Sequence, residues 1–121
     1  MSANATLRLY GIRNCDTMKK AIAWLDEHGI AYQFIDYKKD GVVAERLPHW
    51  IKQAGCDRLL NRRGLMWKKL SEAERENVDA AKAAQLMVAC PTLIKRPVLE
   101  TGDELLVGFD ADTYEHALNG N

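Results

Sequence analysis

Two short apolar runs flank one amphipathic stretch in the first third of the chain, and this pattern restricts the fold more than any other feature. Thr6–Tyr10 is apolar, and Tyr32–Asp36 is rich in aromatic and β-branched residues, so both predict strands. Between them, apolar side chains recur at helical spacing before a glycine that ends the helix: Met18, Ala21, Ile22 and Leu25, then Gly29. A strand–helix–strand unit predicts two parallel strands joined by a right-handed crossover.

Cys15 lies between the first strand and this helix, and its position favours a reactive thiol. The unpaired N–H groups and partial positive charge of a helix amino terminus favour a thiolate. Arg13 and Lys19 add positive charge on either side. Polar neighbours disfavour the alternative, a small buried core residue. We therefore expect a lowered pKa and a nucleophilic Cys15, just beyond a carboxyl strand end, where sheets of this kind bind ligands.

The middle of the chain, about residues 40–90, is predicted to be helical. Pro48 is expected in the first turn of a helix that ends at Gly55, because the missing N–H of proline is harmless only there. Ser71–Glu74 has the pattern of a capping box. A further helical run, Asp79–Ala89, ends before Pro91. This segment therefore contributes helices and no strands.

The last part of the chain returns to strands. Pro97–Glu100 and Glu104–Val107 predict a hairpin around Gly102-Asp103, and a short helix follows at Ala111–Leu118. Together with the parallel pair, this hairpin predicts an α/β fold with one mixed four-stranded sheet, βαβ and then ββα, and a helical lobe inserted between the halves. A chain of 121 residues is expected to form a single domain, 1–121.

Composition disfavours several classes of function. A formal net charge of zero argues against direct nucleic-acid binding. No apolar run has the length of a membrane span or the pattern of a signal peptide, so we expect a cytoplasmic protein with no membrane partner. Three widely separated cysteines, without a Cys/His cluster, argue against a disulfide scaffold and a metal site. We expect no bound cofactor.

Arginines supply the other candidate site residues. Arg96 precedes Pro97 at the start of a predicted strand, where its side chain either binds an anion or is an ordinary solvated charge. Arg62 and Arg63 occupy a loop ending at Gly64. Two guanidinium groups in such a loop can bind an anion bidentately, although a solvated turn is the alternative.

The chain lacks the second thiol of a C-x-x-C pair, because Met18 stands three residues after Cys15. A dithiol oxidoreductase uses that second thiol to resolve a mixed disulfide. An external thiol such as glutathione is the simplest substitute. Cys90 remains an alternative resolving thiol, against its being buried and inert.

Several segments resemble a known family. Gly11–Ala21 (GIRNCDTMKKA), Asn61–Gly64 (NRRG), Trp67–Leu70 (WKKL) and Pro91–Leu99 (PTLIKRPVL) together resemble the arsenate reductase (ArsC)-like family of the thioredoxin-like superfamily. The likeness extends over nearly the whole chain and is greatest to the YffB subgroup, which is related to Spx regulators. It implies a thioredoxin-like core with an inserted helical lobe.

The resemblance also implies roles for particular residues. Cys15 takes the position of the nucleophile, Arg96 that of the arginine that binds an oxyanion or stabilises the thiolate, and Pro97 that of a cis proline. We thus hypothesise a monomeric, glutathione-dependent thiol oxidoreductase that acts on a small-molecule or protein disulfide. Its predicted binding residues are Arg13, Asn14, Asp16, Thr17, Lys19, Arg62, Arg63 and Pro97.

Two alternatives keep the fold and change the function. One is an Spx-like regulator that binds RNA polymerase, although such regulators usually carry C-x-x-C, which Met18 interrupts. The other is a glutathione-dependent arsenate reductase with an altered anion site. True arsenate reductases have His-Asn-Pro before the cysteine, where this chain has Gly11-Ile12-Arg13.

Overall fold

The computed structural model of the protein describes residues 7–13, 15–38, 41–102 and 104–118. The chain forms two compact units. One combines the first part of the chain, up to Tyr37, with the last part, from Arg96 onward. The other spans Lys38–Lys95, which extends beyond the predicted helical insert of about 40–90 at both ends.

The first unit contains a mixed four-stranded sheet of order β2–β1–β3–β4. Strand β1 pairs in parallel with β2 and antiparallel with β3, and β3 pairs antiparallel with β4. This arrangement confirms the predicted α/β fold. The strand bounds are β1 Leu7–Gly11, β2 Tyr32–Asp36, β3 Val98–Glu100 and β4 Leu105–Val107. The predicted first residue of β1, Thr6, and the predicted turn residue Asp103 lie outside the described residues.

Two helices of this unit contribute to its apolar core. Helix α1, Asp16–Glu27, buries residues at helical spacing, and α7, Ala111–Leu118, buries Tyr114. The core joins these helices to the sheet through Leu7, Leu9, Met18, Ala21, Leu25, Leu99, Leu106 and Tyr114. Burial of such a set is the main favourable term in folding. The apolar spacing that predicted α1 is therefore the face that the helix buries.

Gly11, at the end of β1, allows α1 to approach the sheet closely. A Cβ atom built on Gly11 would collide with the sulfur of Met18, which is fully buried. Any larger residue at this position would force the Met18 side chain to shift within the core.

The second unit is helical throughout its described elements. Its helices are α2 Val42–Ala54, α3 Cys56–Leu59, α4 Leu65–Lys69, α5 Glu72–Arg75 and α6 Ala80–Ala89, followed by a 3₁₀ turn at Pro91–Leu93. The predicted capping box is present, since the Ser71 hydroxyl accepts from the Glu74 N–H and the Glu74 carboxylate accepts from the Ser71 N–H. Within the described residues, no helix is both long and apolar enough to cross a bilayer.

The prediction for Pro48 is wrong. Helix α2 begins at Val42, after Gly41 in a left-handed conformation with φ of 71°, so Pro48 lies in the helix interior. The apolar pattern from Leu47 onward marked only the second half of the helix. Proline there removes one backbone hydrogen bond, and its ring crowds the preceding turn. Burial of Val43, Leu47 and Trp50 stabilises the helix despite this local cost.

Candidate active site

Cys15 is the N-cap residue of α1, as its position after the first strand predicted. Its backbone is extended, with φ of −154° and ψ of 130°, while its carbonyl already accepts from the Lys19 N–H at 3.0 Å. The residue is partly exposed and its thiol is free. The sulfur therefore stands where the unpaired N–H groups of the first helical turn are concentrated.

The environment of Cys15 lowers its pKa. Partial burial alone would raise the pKa of this thiol, but the backbone N–H of Met18, the side chain of Arg96 and the backbone N–H of Thr17 together outweigh it. The thiol makes no cap hydrogen bond of ordinary geometry, so the two N–H groups act mainly as oriented dipoles. All three donors favour the thiolate, which is the nucleophilic form of cysteine.

The donors differ in part from those the sequence suggested. An N-cap side chain reaches the second and third N–H groups of its helix, here Thr17 and Met18, rather than the first, which belongs to Asp16. The charge that acts on Cys15 comes from Arg96. Arg13 instead places its guanidinium over the Phe34 ring, 4.3 Å from the centroid.

Three further residues near the thiol in sequence, Asn14, Asp16 and Lys19, were predicted to bind substrate. Asp16 and Lys19 are exposed on the first turns of α1. Asn14 lies outside the described residues. A direct role for these three in substrate binding stays a prediction.

Sheet pairing brings Arg96 to the same edge as Cys15. Val98 pairs with Tyr10, so the start of β3 lies beside the end of β1. Pro97 is buried, and its carbonyl accepts from the Gly108 N–H at 2.8 Å, which fixes the backbone directly after Arg96. The Arg96–Pro97 peptide bond is cis, which confirms that prediction. The Arg96 guanidinium is partly buried and donates toward the Cys15 sulfur.

Tyr37 completes this cluster. The Nη1 group of Arg96 donates to the Tyr37 hydroxyl at 3.2 Å. The Tyr37 N–H donates to the Gly11 carbonyl at 3.1 Å, which extends the pairing of β1 and β2 by one residue. Tyr37 is only 1% exposed. The site thus combines a thiol, a guanidinium and a buried phenol at one edge of the sheet.

Arg62 and Arg63 belong to the helical unit. The Arg62 guanidinium lies 5.6 Å from the Trp67 ring centroid and 3.7 Å from the Asp57 carboxylate. The Arg63 N–H donates to the Asn61 side chain at 3.0 Å. Both arginine side chains are exposed, and their predicted role in anion binding stays a prediction.

The remaining two cysteines lie in different surroundings. The thiol of Cys56 has a pKa raised by burial and by the charge of Asp57. The Cys90 sulfur lies 3.3 Å from the Thr92 hydroxyl. Both belong to the helical unit and are free thiols. Among the described residues, no group of histidine, cysteine or carboxylate side chains is arranged to hold a metal ion.

Comparison with known proteins agrees with the architecture. Residues 10–117 match the ArsC family. The chain belongs to the ArsC family. A solved structure called YFFB (PA3664) protein is 53% identical, with a TM-score of 0.88 over 93% of this chain and 99% of that one. A solved arsenate reductase (ArsC) related protein from Brucella melitensis is 50% identical, with a TM-score of 0.76 over 98% of both chains.

Regulators are also among the ArsC relatives of this chain. A global transcriptional regulator, Spx, from Streptococcus pneumoniae is 23% identical over 101 residues, which are 82% of this chain and 75% of the regulator. The solved structures similar to this chain extend to glutaredoxin, here from Archaeoglobus fulgidus, at 16% identity and a TM-score of 0.50. At that identity the likeness shows the thioredoxin-like fold alone.

Tyr37 was not predicted from the sequence to belong to the site. The available signal was its position, since Tyr37 directly follows β2 as Cys15 follows β1, and carboxyl ends of parallel strands share one edge. Its aromatic character suggested only strand or core packing. The hydroxyl of a buried tyrosine normally has a hydrogen-bond partner, and here that partner is Arg96.

Proposed function

We propose that this member of the ArsC family is a thiol oxidoreductase in which Cys15 is the nucleophile and glutathione is the thiol donor. The observation that carries the proposal is the lowered pKa of Cys15, caused by two helix N–H groups and by Arg96. A thiol of lowered pKa has a larger thiolate fraction at neutral pH. Membership of a family that includes arsenate-reductase-related proteins supports thiol-based reduction in general.

The reaction proceeds by two thiol–disulfide exchanges. The Cys15 thiolate attacks the glutathione sulfur of a substrate–glutathione disulfide, forms a Cys15–glutathione disulfide and releases the substrate as a thiolate. A second glutathione thiolate then attacks the glutathione sulfur of that disulfide. This step regenerates the Cys15 thiolate and leaves oxidised glutathione. Overall, the substrate sulfur is reduced from the disulfide to the thiolate level, and the sulfur of the second glutathione is oxidised from the thiolate to the disulfide level.

Arg96 has two roles in this reaction. Its positive charge stabilises the Cys15 thiolate, both before attack and when that thiolate leaves in the second exchange. Its planar fork also suits a carboxylate, and glutathione carries two. We therefore assign Arg96 to thiolate stabilisation and to binding of an anionic group on the thiol substrate.

The use of an external thiol follows from the first turn of α1. In a C-x-x-C protein the residue three positions after the nucleophile is the resolving cysteine. Here that residue is Met18, which is fully buried in the core. No intramolecular thiol is therefore available one turn along the helix, which supports resolution of the mixed disulfide by a diffusible thiol.

Mass spectrometry after mixing the protein with oxidised glutathione tests this proposal. We expect one glutathione adduct, located on Cys15, in the wild type. The Cys56→Ser/Cys90→Ser variant retains the adduct, and Cys15→Ser lacks it. In a coupled assay with a glutathionylated substrate, turnover depends on reduced glutathione and disappears in Cys15→Ser.

Separate results would contradict separate parts of the proposal. Unchanged turnover in Cys15→Ser would rule out Cys15 as the nucleophile. Turnover with a dithiol reductant but not with glutathione would leave the thiol chemistry in place and remove glutathione as the donor. Loss of turnover in a folded Cys90→Ser variant would identify Cys90 as a resolving thiol.

The similarity to Spx favours a second candidate, a regulator that binds RNA polymerase. Affinity capture from a cell extract distinguishes it. Polymerase subunits as the main captured proteins, together with absent thiol turnover, would favour the regulator.

The similarity to an arsenate-reductase-related protein favours a third candidate, reduction of arsenate. Arsenate reduction with glutathione as the only reductant tests it. Turnover of arsenate that exceeds turnover of a disulfide would make arsenate the preferred substrate class.

A further inference from the structure

We propose that Tyr37 is a positioning residue, whose hydroxyl accepts a hydrogen bond from Arg96 and thereby holds the guanidinium against the Cys15 sulfur. This inference rests on the proposed function, in which the Cys15 thiolate is the nucleophile. It assigns a role to a buried tyrosine that the sequence did not single out.

The backbone anchors of both residues support this role. The N–H of Tyr37 donates to Gly11 at the end of β1, and the carbonyl of Pro97, directly after Arg96, accepts from Gly108, directly after β4. Each of these hydrogen bonds continues the pairing of two strands by one residue. The Arg96–Tyr37 hydrogen bond of 3.2 Å therefore links two fixed points, and the long arginine side chain is held at its tip as well as at its base.

The chemistry of the partner also fits. Burial raises the pKa of Tyr37 to about 12, although Arg96 lowers it in part and the charges of Cys15 and Asp36 raise it. The hydroxyl is consequently neutral at the pH at which thiol exchange occurs. A carboxylate in this place would hold Arg96 equally well but would cancel its charge near the thiolate. A neutral acceptor orients the guanidinium and leaves its full charge for Cys15.

Loss of this hydrogen bond would let the Arg96 guanidinium sample more orientations, and its average interaction with the thiolate would weaken. Tyr37→Phe removes only the hydroxyl and keeps the ring that packs at this edge. We expect the pKa of Cys15 to rise by about half a unit to one unit, which lowers the thiolate fraction at acidic pH by about three- to tenfold. The rate constant of the fully formed thiolate stays close to that of the wild type.

The pH dependence of iodoacetamide alkylation, measured in the Cys56→Ser/Cys90→Ser background, gives the Cys15 pKa directly. Tyr10→Phe is the matched control. Tyr10 is also buried in the sheet, 2% exposed, but its hydroxyl donates to Glu100 at 3.2 Å rather than accepting from Arg96. We expect Tyr10→Phe to leave the Cys15 pKa unchanged.

A double-mutant cycle tests whether Tyr37 acts through Arg96. In an Arg96→Ala background, Tyr37→Phe should shift the Cys15 pKa no further, because the group it positions is absent. An equal shift in both backgrounds, or no shift in Tyr37→Phe alone, would overturn the proposal. An ordinary cysteine pKa in the wild type would instead refute the proposed function, so the two failures are distinct.

A measurement on the wild-type protein keeps the proposal testable even if Tyr37→Phe does not fold. With tyrosine labelled at the carbon that bears the hydroxyl, the Tyr37 NMR signal should move with the midpoint of Cys15 ionisation. A Tyr37 signal that stays constant while Cys15 titrates would show that the two groups are uncoupled and would overturn the inference.

Discussion

At the scale of single residues, opposing effects act on the ionisation of one sulfur atom, that of Cys15. Burial disfavours the Cys15 thiolate, while two N–H groups and one guanidinium favour it. Their combined effect on the pKa is larger than that of burial. Only one of these donors, the Arg96 guanidinium, carries a permanent charge. Arg96 lies 81 residues after Cys15 in the chain. The guanidinium remains protonated at any pH at which the protein is folded, so the thiolate is stabilised throughout.

Two replacements of Arg96 distinguish the effect of its positive charge from the effect of its planar, bidentate guanidinium geometry. Arg96→Ala should raise the Cys15 pKa and weaken binding of the anionic thiol substrate about ten- to a hundredfold, because a charge-assisted hydrogen bond contributes about 1.5–3 kcal/mol. Arg96→Lys should lose most of the binding but less of the pKa effect, since lysine keeps the charge without the fork. Alkylation against pH and glutathione-dependent turnover give the two quantities.

Arg8→Ala is the matched control for that pair. Arg8 is also in the sheet unit, where it contacts the Glu100 carboxylate at 3.7 Å. We expect it to leave both the Cys15 pKa and turnover unaltered. Unchanged kinetics in Arg96→Ala would contradict the assignment of Arg96.

A second residue-scale prediction concerns Tyr114, which is fully buried in the core. Among the described residues its hydroxyl has no hydrogen-bond partner, so the folded state bears an uncompensated desolvation cost. Tyr114→Phe removes that cost and keeps the ring contacts with Trp24 and Phe109. We expect the free energy of unfolding to stay the same or to rise by about 1 kcal/mol.

Urea denaturation followed by circular dichroism measures this change. Tyr10→Phe provides the contrast, because its hydroxyl bonds Glu100 and its removal should destabilise the fold. A clear loss of stability in Tyr114→Phe would mean that its hydroxyl has a partner after all.

At the scale of elements, α1 has two functions, one carried by its apolar face and the other by its amino terminus. Its apolar face, with Met18, Ala21 and Leu25, packs into the core, and its amino terminus presents N–H groups to Cys15. Met18 takes part in both, since its side chain is buried while its N–H acts on the thiol. The position of the thiol is thus tied to the packing of the core.

Helix α2 contains a local conflict that a substitution can remove. Pro48 is exposed in the interior of this helix, so Pro48→Ala creates no cavity and restores a backbone donor. Interior proline costs about 3 kcal/mol relative to alanine, and the stiffer unfolded chain offsets up to about 1 kcal/mol of that. We expect the variant to be more stable by about 2–3 kcal/mol.

Urea denaturation again measures the change in the free energy of unfolding. His49→Ala is the control for any stability that alanine adds to the same helix regardless of proline. His49 is exposed beside Pro48 and keeps its N–H, so its replacement should change stability by less than about 0.7 kcal/mol. If Pro48→Ala were no more stable than His49→Ala, the helix would already compensate fully for its missing hydrogen bond.

At the scale of the whole molecule, the helical unit is an insertion between β2 and β3. Tyr37 is the last residue before it and Arg96 is the first residue after it. The hydrogen bond between these two side chains therefore joins the points at which the inserted chain leaves and re-enters the sheet unit. The three residues of the candidate site, Cys15, Tyr37 and Arg96, all belong to the sheet unit.

Alkaline pH should destabilise the molecule through Tyr37. Its pKa is raised to about 12 in the folded protein, against about 10 in the unfolded chain. Because the folded value is the higher one, the contribution is fully present below pH 10 and is lost as the pH rises from about 10 to 12. The loss amounts to about 2–3 kcal/mol over that interval.

Unfolding free energies measured between pH 9 and 12 test this expectation. Tyr37→Phe should remove that part of the slope, whereas Tyr10→Phe should keep it. Equal slopes in the wild type and Tyr37→Phe would exclude Tyr37 as the source.

The sequence by itself determined most of the elements and the position of Cys15 at a helix start. Apolar spacing located β1, α1, β2 and the final hairpin, because side-chain periodicity is a local property of each element. The same local logic located Cys15 at a helix start and Ser71–Glu74 in a capping box. It failed at Pro48, where packing of Val43 and Trp50 stabilises a helix that the local rule for proline disfavours.

Only the tertiary structure decided which groups surround the thiol. Strand register placed Arg96 at the edge that holds Cys15, and the turn after β2 placed Tyr37 against Arg96. The sequence offered Arg13 and Lys19 as the nearest charges, whereas the charge that acts on the thiolate comes from Arg96. The physical reason is that electrostatic interaction depends on distance in space, which sheet pairing sets, and not on separation along the chain.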